Sequence, residues 1–225
     1  MSTRAIPRGT DTKERVLRAA ERIFGHQGYA GTTLREVTAE AGVNLASANY
    51  HFGSKEALVM EMLRQRVAPI NEQRLHLLKK AKKTASGSPI PLEEILEALI
   101  LPLGGAARGP DGPDLAFLQL VGRAFSEPAE FLRRVHETFF RELAEVFMRE
   151  IRLSCPEATE KDLWWNLHFA INAMLGSLSQ CRRAETMSNG ICQAADLDDM
   201  LKRLVAFLAK GFLTTAPPSP AHRLT

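Results

Sequence analysis

The amino-acid sequence predicts an all-α protein in which three short N-terminal helices are followed by a larger helical region. Apolar residues recur at the three- and four-residue spacing of amphipathic helices along nearly the whole chain. No long stretch alternates apolar and polar residues in the way that is typical of a half-buried strand. Clusters of glycine, proline and serine divide the chain into segments of helical length.

Residues 1–10 are predicted to form a flexible arm, and the first helix is expected over residues 11–27. Its apolar stripe ends at Gly28, a residue type that commonly terminates helices. The second helix opens at "TTLREV", where Thr33 and Glu36 have the spacing of a capping box. Thr33 is therefore the expected N-cap of the second helix.

The third helix is predicted to be short. Gly42 makes a turn after the second helix, and the third covers residues 45–51. Ser54 is the expected N-cap of a long fourth helix, which ends near residue 83 in basic residues suited to a helix C-terminus. The stretch 84–91, "TASGSPIP", is the clearest linker in the chain.

The rest of the chain is predicted as further helices separated by breaks rich in glycine and proline. Thr159 and Asp196 have the chemistry of N-caps for the last two long helices. The final residues, "APPSPAHRLT", are expected to be a disordered tail. The expected helices cover residues 92–104, 114–126, 128–153, 160–183 and 197–214, and the tail covers 216–225.

Length and composition describe an ordinary globular chain. Its 225 residues are 45% hydrophobic and 24% charged, with a formal net charge of +3, so a nucleic-acid role must be argued from local charge. Three cysteines without a CxxC pair and scattered histidines predict no disulfide framework, no metal site and no cofactor. The N-terminus lacks the apolar run of a signal peptide, and no apolar run reaches the roughly 18 residues of a membrane span. We therefore expect a cytoplasmic protein without a membrane partner.

Two short helices joined by a tight glycine turn form a helix-turn-helix. The stretch 32–58, "TTLREVTAEAGVNLASANYHFGSKEAL", resembles the DNA-binding domain of the TetR family of bacterial regulators. The resemblance rests on the paired threonines, "AGV" at the turn, "YHF" ending the third helix and "SKEAL" after it. It implies a DNA-binding domain over 11–58 and a ligand-binding and dimerisation domain over 59–215. It also implies a homodimeric repressor on a palindromic double-stranded DNA operator.

The DNA-contact positions of that family map onto the third helix and its flanks. Small residues at its start, Ala46, Ser47 and Ala48, would let the backbone approach base edges in a major groove about 12 Å wide. Thr33 and Lys55 stand at helix N-termini, which favour a phosphate. For Asn49, DNA contact and internal packing remain alternatives. The predicted DNA-binding residues are Thr33, Arg35, Leu45, Ala46, Ser47, Asn49, Tyr50, His51 and Lys55.

Local charge supports this interpretation. Up to Lys55 the chain carries eight basic and five acidic side chains, a surplus equal to its whole net charge. On the arm, Arg4 and Arg8 either enter a neighbouring minor groove or are disordered. Further basic residues of the first helix are expected to form an ordinary solvated face; these are Arg15, Arg18 and Arg22.

Two helices of the larger region are more apolar than a surface helix requires. The segment 160–183 is apolar or small nearly all round, and 197–214 carries a similar stripe. Paired with the same helices of a second copy, they would form a four-helix dimer interface; alternatively, they only fill a monomer core. The stripes are Leu163, Leu167, Ile171, Met174, Leu178 and Cys181, and Met200, Leu201, Leu204, Phe207, Leu208 and Phe212.

An effector pocket is expected to be mostly apolar with a few polar groups. Arg123 has the chemistry to hold a carboxylate through two hydrogen bonds, or it forms an intramolecular salt bridge. His168 and Asn172, one helical turn apart, either orient a polar head group or form a buried structural hydrogen bond. The predicted ligand-binding residues are Phe117, Val121, Arg123, Phe125, Phe140, Trp165, His168, Phe169 and Asn172.

The apolar pattern of the larger region also suggests an effector class. The run from "LQLVGRAFSEP" through "LWWNLHFAINAML" is similar to the C-terminal domain of TetR-family regulators that sense fatty acids or acyl-coenzyme A. We therefore expect a small hydrophobic effector that releases the repressor from DNA. A transcriptional activator, or a regulator with a drug-like or aromatic effector, is the alternative. A lipid-acting enzyme is disfavoured because GxSxG, phosphate-loop and HExxH motifs are missing.

Overall fold

The computed structural model describes residues 8–109, 112–123 and 127–213, and it confirms the all-α fold class. Within these ranges the regular structure is helical apart from an antiparallel two-stranded ribbon, β1 (Arg108–Gly109) and β2 (Gly112–Pro113). None of the described helices has the length and apolar character needed to cross a membrane. The helices are α1 (Arg8–Gly31), α2 (Leu34–Ala41), α3 (Leu45–Phe52), α4 (Lys55–Thr84), α5 (Leu92–Ile100), α6 (Pro102–Ala106), α7 (Leu115–Arg123), α8 (Ala129–Phe139), α9 (Arg141–Ser154), α10 (Glu160–Ser179), α11 (Cys181–Met187) and α12 (Leu197–Leu213).

The N-terminal end of the chain differs from the prediction in its described residues. Because α1 begins at Arg8, residues 8–10 of the predicted arm are helical. The remaining arm residues, with Arg4, lie outside the described residues, and so do the side chain of Arg8 and the predicted tail. Gly28 does interrupt the helix as predicted, with φ 71° and ψ −175°. One helical turn follows, and the Thr32 hydroxyl donates to the Gly28 carbonyl at 2.7 Å.

Three predicted helices are each split in two. The first breaks at Leu101, because Pro102 lacks the N–H that would continue the hydrogen-bond pattern. The second breaks at Phe140, where the backbone leaves the helical region at φ −124° and ψ −19°. The third breaks at Gln180, with φ −116° and ψ 20°. Apolar periodicity continues through all three positions, so the sequence pattern concealed the breaks.

The predicted caps are confirmed. The Thr33 hydroxyl accepts from the Glu36 N–H at 3.2 Å, and Gly42 ends α2 in the left-handed region with φ 62°. Ser54 caps α4 by accepting from the Ala57 N–H at 3.1 Å. Two further caps also form as expected, with Thr159 accepting from Asp162 N–H and Asp196 from Asp199 N–H, both at 3.2 Å.

The chain divides into two compact units. Unit 1 comprises residues 1–70 and 106–140, so that α1 packs against α2, α3 and α7. Its core is formed by apolar side chains from the first four helices together with α7 and α8. Its buried members include Val16, Phe24, Val37, Leu58, Val59, Leu120 and Phe131.

Unit 2 comprises residues 71–105 and 141–225, and α5, α9, α10 and α12 pack together in it. The unit boundary falls inside α4, between Ile70 and Asn71. Apolar residues of these helices form a second core. Its fully buried members include Ile95, Leu96, Phe147, Met148, Ile151, Leu163, Leu178 and Leu201.

Candidate DNA-binding surface and effector region

Helix α3 is amphipathic, and its two faces differ sharply in exposure. Ala48 is fully buried and Phe52 is 9% exposed, so these two residues hold the helix on the core of unit 1. On the other face, Tyr50 is 86% exposed, and Asn49 is exposed beside it. Leu45 at the helix start is also exposed. Of the two alternatives for Asn49, the exposed position excludes internal packing and leaves the side chain accessible to DNA.

The small residues of α3 serve two purposes rather than one. Ala46 is exposed and Ser47 is half-buried, as close approach to a groove requires. The expectation that Ala48 also serves groove approach is wrong, because its side chain has no accessible surface. Its size instead lets α3 pack closely on unit 1, since a larger side chain would push the helix off its core.

Both ends of α3 are fixed by local hydrogen bonds. The Asn44 side chain accepts from the Ser47 N–H at 2.7 Å, a cap that we did not predict. An Asn immediately before a helix is a known N-cap signal and would have identified it. At the other end Gly53 takes a positive φ of 73°, and its N–H donates to the Asn49 carbonyl. The exposed face of α3 therefore has a defined orientation.

Two arginines of α1 brace the turn that precedes α3. Arg15 donates from one guanidinium nitrogen to the carbonyls of Ala41 and Gly42, at 2.7 and 3.1 Å. Arg22 donates to one carboxylate oxygen of Glu40 at 2.9 and 3.1 Å. Both therefore differ from the expected solvated face, because they connect α1 to the C-terminal end of α2. Arg18 does fit that expectation, with only a 3.8 Å exposed pair to its own helix.

The predicted phosphate contacts already have partners within the chain. The Thr33 hydroxyl donates to the Glu36 carboxylate at 2.8 Å within the capping box. Lys55 is half-buried, and its ammonium donates to the Tyr29 carbonyl at 2.9 Å while lying 4.3 Å from the Tyr29 ring centroid. An ammonium group has three donors, so this contact leaves Lys55 the capacity to bind a phosphate. Arg35 is exposed.

Polar aromatic groups mark the end of α3. The ring of His51 is half-buried and lies edge-on to Tyr50, with ring centroids 5.4 Å apart. The Tyr50 hydroxyl, on an exposed side chain, can therefore reach a phosphate or base edge. All nine predicted DNA-contact residues lie on α3, on α2 or at the two helix N-termini beside them.

Arg123 contacts the backbone of α1. Its Nε donates to the Gly25 carbonyl at 2.9 Å, and a terminal nitrogen donates to the His26 carbonyl. The guanidinium thus caps carbonyls near the end of α1. The two roles expected for Arg123, a ligand anchor or an intramolecular salt bridge, stay predictions beside these backbone contacts.

Glu127 makes a second contact with the end of α1, and the sequence did not predict it. Both of its carboxylate oxygens accept from the Tyr29 N–H, at 3.0 and 3.1 Å. The Tyr29 ring also stacks on Phe131 of α8, with centroids 4.5 Å apart. Within unit 1, Glu127 and the α8 residue Phe131 therefore hold Tyr29, whose carbonyl accepts from Lys55. The partners are about a hundred residues apart, which explains why no local pattern predicted them.

The remaining predicted ligand residues fall into separate groups. Phe117 and Val121 are buried on α7, and Phe140 is half-buried, all three in unit 1. Phe125 lies outside the described residues. The four predicted residues of α10 belong to unit 2. These are Trp165, His168, Phe169 and Asn172.

Three of the four α10 residues are exposed rather than enclosed. Trp165 and Phe169 are 51% and 56% exposed, and their rings stack with centroids 5.7 Å apart. Asn172 donates to the His168 carbonyl at 2.8 Å, and its amide nitrogen also lies 3.2 Å from a ring nitrogen of His168. This contact lies at the surface, so the alternative of a buried structural hydrogen bond is wrong. The α10 face is open in the single chain.

Helix α12, which contacts α10, likewise exposes an apolar residue. Phe207, part of the predicted stripe, is 72% exposed, while Leu201, Leu208 and Phe212 of that stripe are buried. On α10, Ile171 is 36% exposed whereas its stripe neighbour Met174 is buried. Each helix thus has one face in the core of unit 2 and additional apolar surface outside it.

Unit 1 also contains a small cleft of about 230 Å³ between α1 and α4. Two of its six lining residues are the ion pair Glu21 and Arg66, whose Nε lies 2.7 Å from the carboxylate. Its lining includes none of the predicted ligand residues. The lining residues are Leu17, Arg18, Glu21, Met62, Gln65 and Arg66.

An exposed helix on a glycine turn, capped at its start and braced by arginines, defines a helix-turn-helix DNA-binding protein. Comparison with known families then makes the identification specific. Residues 16–62 match the family described as "Bacterial regulatory proteins, tetR family". Residues 97–211, about half of the chain, match "Tetracyclin repressor-like, C-terminal domain". The chain belongs to the TetR family of bacterial transcriptional regulators.

Individual relatives agree with the family. The HTH-type transcriptional regulator LmrA of Bacillus subtilis (strain 168) is 28% identical over 199 residues, covering 86% of this chain and 98% of the relative. The solved SmeT–triclosan complex has a TM-score of 0.59 at 17% identity, covering 89% and 90% of the two chains. FadR of Bacillus halodurans, a fatty acid degradation regulator, has a TM-score of 0.52 at 14% identity, covering 96% and 99%. The protein is accordingly a DNA-binding regulator and not an enzyme.

Proposed function

We propose that the protein is a repressor that binds a palindromic operator as a homodimer and is released by a small hydrophobic effector. The observation that carries the proposal is the exposed polar face of α3, which is presented by a helix whose opposite face is buried. We assign residues 11–58 to DNA binding and 59–215 to effector binding and dimerisation. Helix-turn-helix dimers read two half-sites about one DNA turn apart, and their operators are palindromic because the dimer is two-fold symmetric.

Base contacts are assigned to the exposed start and middle of α3. Ala46 and Ser47 let the backbone approach the base edges, and Asn49 supplies an amide that can bond to a base. Tyr50 and His51 are assigned to phosphates or flanking bases. Thr33 and Lys55, at the N-termini of α2 and α4, would fix the register through phosphates, with Arg35 adding a further contact.

Dimerisation is assigned to the outer faces of α10 and α12. Trp165, Phe169 and Phe207 expose large apolar rings, and the two helices contact each other within unit 2. Exposed apolar patches of this kind mark protein interfaces. A two-fold arrangement of these helices with those of a second copy would cover the rings and supply the second recognition helix.

Release from DNA requires that the effector bind one conformation more tightly than the other. The contacts of Arg123 and Glu127 with the end of α1 support a route for this change. An effector that displaces α7 would disturb Tyr29, whose carbonyl accepts from Lys55 at the N-terminus of α4. The position of a proposed phosphate contact would then depend on effector binding.

For the effector we favour a fatty acid or acyl thioester. A drug-like aromatic compound is the second candidate, because a neighbour in fold is described in complex with triclosan. Native mass spectrometry of freshly purified protein separates the two. A co-purified acyl species supports the first candidate, and an aromatic compound that binds while acyl species do not supports the second.

The DNA-binding proposal is tested by selecting duplexes from a random pool and measuring their mobility with the full-length protein. We expect the wild-type protein to select a palindromic consensus. Tyr50→Ala and Ser47→Ala should each change the order of preference among variants of that operator. The matched control is His136→Ala, an exposed residue of α8 in the same unit. Uniform weakening across all sequences by the α3 variants would contradict base readout.

A further inference from the structure

Unit 2 contains a buried arginine that no sequence argument identified. Arg74, in the part of α4 that belongs to unit 2, is 4% exposed. Its Nε donates to the Leu99 carbonyl at 2.7 Å, and one terminal nitrogen donates to the Asn71 side-chain oxygen at 3.0 Å. The other terminal nitrogen lies 3.7 Å from the sulfur of Met174 on α10.

These contacts provide Arg74 with no counter-ion. Among the described residues, no carboxylate lies within ion-pair distance of its guanidinium. Burial lowers the pKa of Arg74 to about 10, so the side chain is still charged at neutral pH. Carrying a buried charge without a counter-ion is costly, and proteins normally supply a partner.

The hydrogen-bonding capacity of Arg74 is also only partly used. A guanidinium has five N–H donors, and the contacts above use three of them. One of the three is spent on a thioether sulfur, which is a weak acceptor. Met174 is flexible and readily repacks, so it can yield this position to a stronger acceptor. The Leu99 carbonyl near the end of α5 compensates the charge only in part.

A second unsatisfied polar group lies on the same helix as Met174. Asn166 is 9% exposed, and its amide nitrogen has no hydrogen-bond partner. Asn166, Ala170 and Met174 follow one another at single-turn spacing, and all three are buried. Asn166 is two turns from Met174, about 12 Å along the helix axis. The inner face of α10 thus carries an apolar stretch with a polar group at one end and Arg74 at the other.

We propose that Arg74 binds the anionic head group of the effector. A carboxylate or similar oxyanion would replace the Met174 sulfur and accept from the terminal nitrogens of Arg74, as bidentate arginine–carboxylate pairs do. The apolar body of the ligand would lie along the inner face of α10 toward Asn166. The inference rests on the proposed function, because it names the chemistry of that effector. It assigns to Arg74 the carboxylate that the sequence assigned to Arg123.

A purely structural role for Arg74 is the competing explanation. In that case Arg74 only donates to the last turn of α5, and a ligand would gain nothing from a negative charge. Head-group selectivity distinguishes the two explanations. A structural arginine affects stability, whereas a head-group site makes affinity depend on the ligand's charge at constant chain length.

The test is calorimetric titration of the full-length protein with decanoate, methyl decanoate and decyl phosphate. Because hydrogen bonds to a charged group are strong, we expect at least one of the two anions to bind about tenfold more tightly than the ester. The preferred anion then identifies a carboxylate or a phosphate head group. Arg74→Gln should reduce this preference to within about twofold, while the exposed control Arg149→Gln should retain it.

Two results of the titration would overturn the proposal. One is a wild-type protein that binds neither anion, or neither more tightly than the ester. The other is an Arg74→Gln protein that folds and keeps the preference. If Arg74→Gln does not fold, ¹⁵N spectra of the arginine Nε–H groups in the wild-type protein decide the question. Decanoate or decyl phosphate should shift the Arg74 signal while the ester does not, and an unmoved signal contradicts the site.

Operator release is measured separately, by fluorescence anisotropy on the selected duplex. Anion binding through Arg74 without operator release would contradict the effector step of the proposed function and leave the head-group site intact. Release by the ester as effectively as by the anions would contradict the head-group site and leave the repressor function intact.

Discussion

Helices α3 and α10 both present aromatic side chains at the surface, but what surrounds those side chains differs. On α3 the exposed aromatic is Tyr50, accompanied by the amide of Asn49, and a cap, a glycine and a bracing arginine fix the orientation. On α10 the exposed residues Trp165 and Phe169 stack on each other and present mostly apolar area. A fixed polar face suits a groove lined with hydrogen-bonding groups, whereas a broad apolar face suits another protein surface.

The largest expected effect separates the two faces of α3 itself. Ala48→Lys places a charge where the side chain is fully buried, so it should destabilise the protein by about 3–5 kcal/mol and abolish DNA binding. Ala46→Lys, on the exposed face, is the matched control and should unfold at nearly the wild-type urea concentration. Equal stability of the two variants in urea unfolding would contradict the orientation of α3.

The apolar face of α10 is tested by charge. If α10 forms the proposed dimer interface, Trp165→Glu combined with Phe169→Glu should give a monomer in light scattering. Because the second half-site contact is then lost, operator affinity should fall by about a hundredfold or more. Leu153→Glu on α9 is the control, since it is 53% exposed in the same unit and should leave the dimer intact. A double variant that remains dimeric would place the interface elsewhere.

The bracing of α3 is expected to contribute less. Arg15→Ala removes both hydrogen bonds to the end of α2 and should cost about 1 kcal/mol, with a loss of operator affinity of a few fold. Arg18→Ala removes only an exposed pair within α1 and should change stability by less than about 0.5 kcal/mol. Denaturant unfolding and anisotropy measure both variants, and indistinguishable results would remove Arg15 from the support of α3.

The smallest effect concerns salt dependence. If Lys55 contacts a phosphate, Lys55→Ala should reduce the slope of log affinity against log salt by about 0.9 per module, or nearly two for a dimer. The loss of affinity should be similar for all operator sequences. An unchanged slope would mean that Lys55 serves only the Tyr29 contact. The slope of Arg35→Ala, which removes an exposed cation on α2, provides the comparison.

The sequence predicted α3 better than α10 for a physical reason. Caps and turns are local, so Thr33, Gly42 and Ser54 were identified from their neighbours alone. Ala48 was misjudged because a small residue suits a groove and a tight core equally well. On α10, apolar residues on several faces could not indicate which ones face the core, so the exposure of Trp165 and Phe169 in the single chain was not predicted.

Arg123 and Arg74 show that contacts between residues distant in sequence are also hidden from local patterns. Arg123 caps carbonyls of α1 almost a hundred residues away, and Arg74 is buried by helices α5 and α10 that no local pattern pairs with it. In both cases the partners that decide the role are brought together only by the tertiary fold. Charge and residue type in the sequence drew attention to Arg123 but gave no indication that Arg74 is buried.

In the proposed repressor two copies of α3 read one palindrome, and native mass spectrometry of the protein on its selected duplex measures this directly. We predict two 24.9 kDa chains on each duplex. The same spectrum of the Trp165→Glu, Phe169→Glu variant should show free duplex at equal protein concentration. A single chain bound per duplex, with affinity unchanged by that double substitution, would contradict the dimeric repressor proposed for this chain.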